Sequence, residues 1–127
     1  MNLLVNIALI SAGGALGALG RAGIGWVFIE KFGTGALGTL AANLIGCLAF
    51  GAAKAAVDRF DWGTEQGRVF LFTGFLGAFT TFSAFEADIF TLWSDEMHMW
   101  SALYLAASVI GGLICFAAGY FVVSRMG

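Results

Sequence analysis

The sequence predicts an all-α membrane protein of four transmembrane helices with a broken third helix. Three observations carry this. The chain of 127 residues is 60% hydrophobic and only 11% charged, far below the quarter or so of a soluble domain. Its apolar residues gather into four stretches of roughly the 20 residues that cross a bilayer. Inside the third stretch, residues 73–86 read Thr-Gly-Phe-Leu-Gly-Ala-Phe-Thr-Thr-Phe-Ser-Ala-Phe-Glu. Two glycines, a hydroxyl run and an acid stand there where a plain span has leucines. In hydrocarbon every backbone polar group needs a partner, so a helix break is tolerated only where it lines a cavity or is buried in protein. Intramembrane ionisable groups are costly and mark ion or substrate paths. The pattern points to a route across a bilayer.

The first span is expected from about Leu3 to Phe28, with Arg21 near its far end. The start, Met-Asn-Leu-Leu, has no basic n-region and reads as a retained span. Gly13 and Gly17 form a small-xxx-small pair, which lets helices approach closely in lipid. The second span is placed at about Ala36 to Val57, the third at Arg68 to Trp93 and the fourth at Trp100 to Val123. The connections are too short for a soluble domain, so residues 1–127 read as one four-helix transmembrane domain. Trp26, Trp62, Trp93 and Trp100 fall near span ends, as interfacial anchors do. Lys54, Arg59, Arg68 and Arg125 fall on the side of the N-terminus, Arg21 and Lys31 on the other. So small a bias specifies orientation weakly.

The net charge of −2 offers no basic footprint for nucleic acid. Cys47 and Cys115 lie in apolar stretches and read as small hydrophobes, and His98 has no cysteine or histidine at ligand spacing.

Two helical faces carry polar groups. In the second span Thr39, Asn43 and Cys47 recur every four residues, with Gly46 beside them. In the fourth span Ser101, Tyr104 and Ser108 recur at three and four, with Cys115 two turns on. Each face alone is ordinary interhelical hydrogen bonding. Together they suggest a polar track. In the third span Phe82 and Phe85 share a face, flanked by Glu86 and Asp88. Phenylalanine edges carry positive quadrupole density and can face an anion without trapping it. Gly74, Gly77, Thr80 and Thr81 weaken the helix before them. Unwinding there would free the carbonyls of Gly77 and Thr80 for a hard cation.

Gly38-Thr39-Leu40-Ala41-Ala42-Asn43-Leu44-Ile45-Gly46, followed by Gly77-Ala78-Phe79-Thr80-Thr81-Phe82-Ser83-Ala84-Phe85, resembles the Fluc (CrcB) fluoride channels. The likeness covers the whole chain, including a first helix ending in Arg21 and Tyr104 with Ser108 in the last. It implies a passive fluoride channel in the cell (inner) membrane, built as a dual-topology antiparallel homodimer with two pores. It further implies Phe82 and Phe85 as aromatic edges beside fluoride and Asn43 as the pore asparagine. Thr39, Ser83, Tyr104 and Ser108 would lie on or near the track, and Arg21 in a vestibule. Carbonyls of Gly77 and Thr80 from both subunits would hold a structural Na+. Three positions depart from the family pattern. Ala84 stands where threonine is frequent, Glu86 where serine is frequent, and Asp88 replaces the usual glutamate. The competing reading is a proton-coupled small-molecule exporter using Glu86 or Asp88, but no acid precedes Glu30 in the first span. A non-transporting subunit, whose polar stripes only join helices, is the third. No nucleophile–base set supports an enzyme.

Overall fold

The structure, a computed structural model, describes residues 2–127. Its elements among these residues are all helical. They are α1 (Leu3–Phe32), α2 (Ala36–Phe60), α3 (Glu65–Arg68), a π-helical segment (Val69–Leu76), α4 (Gly77–Phe79), α5 (Phe82–Ser94) and α6 (His98–Ser124). Four helical stretches are long and apolar enough to cross a membrane: Leu3–Phe32, Ala36–Phe60, Glu65–Ser94 and His98–Ser124. The four elements before α6 that follow α2 thus share one span, which bends after Phe79.

The spans run up to four residues further than hydropathy alone suggests, because polar ends remain helical until a cap stops them. Asn2 opens α1 by accepting from the Leu4 amide at 3.0 Å. Gly33, at φ 71°, closes it with its amide on the Ile29 carbonyl. That left-handed geometry suits glycine. Asp61, at φ 48°, closes α2 with its amide on the carbonyls of Ala56 and Val57. The next turn is fastened by Arg68, whose Nη2 lies 2.5 Å from Asp61 and whose Nε donates to the Trp62 carbonyl at 3.1 Å. Thr64 then caps α3 by accepting from the Gly67 amide.

Close packing rests on absent side chains. A Cβ on Gly13 would fall on the Phe70 carbonyl and 3.1 Å from the Gly74 Cα. One on Gly17 would fall on the Phe75 carbonyl and 3.0 Å from the Phe79 amide nitrogen. The glycine pair of α1 is therefore a groove for backbone, and it receives the wide turns of the π-helical segment. α2 and α6 interlock in the same manner, with Gly51 against the Phe116 carbonyl and Gly119 against that of Leu48. On α2, Ala42 and Ala55 are wholly buried. At one end of this pair Lys54 and Tyr120 both reach Asp58, at 2.9 and 3.3 Å.

Candidate functional site

The site is organised around two residues. Thr80 (φ −88°, ψ 152°) and Thr81 (φ −145°, ψ 124°) are extended, between the helical residues Phe79 and Phe82. Two extended residues remove the i to i−4 bonds across the bend, and their groups find other partners. The Thr81 amide donates to Asn43 Oδ1 at 2.7 Å, and Asn43 Nδ2 donates to the Thr81 carbonyl at 3.0 Å. One side-chain amide thus satisfies both backbone groups of Thr81. The Thr81 hydroxyl caps α5 by accepting from the Ala84 amide at 3.3 Å. Thr80 turns its hydroxyl back to the Leu76 carbonyl at 3.0 Å. Arg21 of α1 donates through Nε to the Ala78 carbonyl at 3.1 Å. A cation there suits the negative end of a helix dipole.

Among the described residues, no hydrogen bond falls on the carbonyls of Gly77 and Thr80. Of the stretch Gly74, Gly77, Thr80 and Thr81 expected to weaken the helix, only the two threonines leave helical geometry. Gly77 is helical (φ −62°, ψ −35°), and the extended pair lies three residues later. Gly77 loses its carbonyl partner because the Thr81 amide has turned to Asn43.

Beside the bend lies a cavity of about 380 Å³ between α2, α5 and α6. Asn43, Gly46, Thr81, Phe82, Phe85 and Ser108 are on its wall, with Thr80. The two phenylalanine rings meet edge to face, with centroids 5.9 Å apart and planes at 61°. Phe85 is 5% exposed and Phe82 is 74% exposed in the single chain. The Ser108 hydroxyl oxygen is buried without a hydrogen-bond partner. Asn43 has two amide hydrogens, and the Thr81 carbonyl takes one. The wall thus combines aromatic edges with uncommitted small donors.

Other sequence-predicted residues lie outside this wall. Tyr104 is buried on α6 behind Phe85, at a ring distance of 5.5 Å, and donates to Asp88 Oδ2 at 2.8 Å. It borders a second, almost wholly apolar cavity of about 370 Å³. The Thr39 hydroxyl donates to the Gly35 carbonyl at 3.3 Å. Ser83 and Glu86 lie exposed on α5. The sequence reading did not foresee the clasp between Asn43 and Thr81, the bond from Arg21 to Ala78 or the π-helical segment. For the clasp the signal was an asparagine in an apolar span and a Thr-Thr pair needing partners.

Four apolar spans, one bent around a partly polar cavity, define a multi-pass membrane protein. The chain belongs to the CrcB-like family: the family model described as "CrcB-like protein, Camphor Resistance (CrcB)" matches residues 8–120. It is 36% identical over 117 residues to a fluoride-specific ion channel FluC of Pasteurella multocida, covering 92% of this chain and 91% of that one. It is 40% identical over 115 residues to one of Chloroflexus aurantiacus, covering 90% and 91%. A FluC of Sphingopyxis alaskensis is 35% identical over 118 residues, covering 92% and 94%.

The clasp has a measurable consequence. Asn43→Leu leaves the amide and carbonyl of Thr81 unpaired, at a cost of about 1–3 kcal/mol for each group. Hydrogen exchange at the Thr81 amide should rise strongly in the variant while the α2–α6 contact keeps its protection. Equal protection of Thr81 in both proteins would show that the clasp does not hold the bend.

Proposed function

We propose that this chain is a passive fluoride-selective channel that lets a cell expel fluoride, as the names of its relatives suggest. The supporting observation is the single wall that gathers Asn43, Phe82, Phe85 and the partnerless Ser108 hydroxyl. Fluoride passing there would meet ring edges of positive quadrupole density, the second hydrogen of Asn43 and the Ser108 hydroxyl. None carries a full charge, so the anion is held weakly enough to leave. Thr39, Ser83 and Tyr104 extend the polar route, and the charge of Arg21 raises the local anion concentration. A proton-coupled exporter fits less well, because Asp88 is engaged by Tyr104 and neither acid borders the cavity.

The working unit is an antiparallel homodimer. Phe82, Ser83, Glu86 and Gly77 are exposed on the third span of the single chain. Polar groups at membrane depth need protein or water beside them. A second copy in the opposite orientation would cover this surface, and the bend then acts as the break of the third helix. The uncommitted carbonyls of Gly77 and Thr80 fit a hard monovalent cation, and two copies of each supply an oxygen cage. Na+ bound there would neutralise the inward-facing carbonyl dipoles and join the subunits.

Flux, topology and ion-binding measurements test these statements. Purified protein in liposomes should release trapped fluoride rapidly with a potassium ionophore, and chloride hardly at all. Phe82→Ile and Phe85→Ile, which keep bulk and remove the ring edge, should each lower the rate about tenfold or more with assembly retained. Flux that depends on a proton gradient would sink the channel reading.

A reporter fused to the C-terminus should appear on both sides of the membrane. One uniform orientation contradicts the antiparallel dimer.

Flux should need no sodium gradient, yet prolonged sodium removal should reduce it. Ion-replacement diffraction that finds no monovalent cation beside Gly77 and Thr80 would remove the cation from the scheme.

A further inference from the structure

We infer that Gly46 is a positioning residue for the bend, acting through the methyl group of Thr80. Asn43 and Gly46 are three residues apart on α2, and both border the cavity. Asn43 holds Thr81 by two hydrogen bonds. Gly46 meets the preceding residue sterically. A Cβ built on it would fall on Thr80 Cγ2, closer than any real contact, and 3.2 Å from Phe79 Cδ1. The glycine is buried, so a neighbour must move to admit even one methyl. Thr80 has two ways to yield. It can rotate about χ1, which takes its hydroxyl off the Leu76 carbonyl. Otherwise its backbone shifts away from α2, carrying its free carbonyl and stretching the clasp on Thr81. One turn of α2 therefore fixes the bend twice, by a hydrogen-bonded hold on Thr81 and a slot for Thr80.

The inference rests on the channel reading for its flux measurement and on the contact geometry alone for its stability measurement. It turns on a methyl group, so it predicts a specific rescue. Thr80→Ser removes Cγ2 and keeps the hydroxyl for Leu76. Thr80→Val keeps a methyl at that place and removes the hydroxyl. In liposomes Gly46→Ala should lower fluoride flux about tenfold and raise the sodium concentration needed for half-maximal flux. Thr80→Ser alone should be mild. Gly46→Ala with Thr80→Ser should conduct within about threefold of Thr80→Ser alone, a residual allowance for the Phe79 contact. Gly46→Ala with Thr80→Val should stay as impaired as Gly46→Ala.

Wild-type flux together with full activity of Gly46→Ala overturns the inference. So does failure of Thr80→Ser to rescue, or equal rescue by Thr80→Val. If Gly46→Ala cannot be purified, recovery of folded protein in the Thr80→Ser double variant supports the inference, and failure of that variant too overturns it. If the wild type does not conduct fluoride, the channel reading fails on its own. Melting temperatures of the same proteins then decide: non-additive recovery with Thr80→Ser upholds the contact, and additive losses reject it.

Discussion

Every carbonyl and amide freed inside an apolar span must be satisfied without bulk water, and the site is arranged around that constraint. Extending two residues at Thr80 and Thr81 interrupts the helical ladder inside an apolar span. The structure answers with donors and acceptors from three directions. Asn43 approaches from α2, Arg21 from α1, and the hydroxyls of the threonines themselves serve their own neighbours. Each of these residues is explained by the bend before any role in conduction is considered.

The same constraint separates supporting groups from the groups left over. Asn43 both binds Thr81 and stands on the cavity wall, so one side chain couples the backbone path to the surface an ion would meet. Arg21 differs, since its Nε is spent on Ala78 and only its remaining nitrogens face elsewhere. Ser108 has nothing to hold. A buried hydroxyl without a partner costs free energy, and such groups recur where function requires them. Asn43 is thus committed to the backbone of the bend, whereas the Ser108 hydroxyl stands uncommitted on the same wall.

The four spans were legible because hydrophobicity over some twenty residues is a strong signal. Their ends were less so. Glu30, Lys31, Asp58 and Arg59 look like loop residues yet remain helical, since only Gly33 and Asp61 adopt the left-handed geometry that stops α1 and α2. In the third span, local propensity marked Gly74, Gly77, Thr80 and Thr81 as a weak stretch but not which of them would extend, and only the two threonines do. Residue 43 decides the matter, and it lies 38 positions away in sequence. No window of local pattern contains that information. The π-helical segment was hidden for the same reason: its wide turns fit a groove made by Gly13 and Gly17. Asn43, Phe82, Phe85 and Ser108 were legible through motif resemblance, and the structure brings those four to one wall.

The order of these partners along the chain bears on how the protein is made. Synthesis delivers the N-terminal spans first. Arg21 and Asn43 both precede the bend, so the groups that receive its freed backbone are synthesised before residues 80 and 81. The glycine groove of α1 is likewise synthesised before the π-helical segment that it receives. Only α6 comes later, and it adds Ser108 and the far wall of the cavity. Chain order thus runs from the groups that receive the freed backbone, through the bend itself, to the helix that completes the cavity wall.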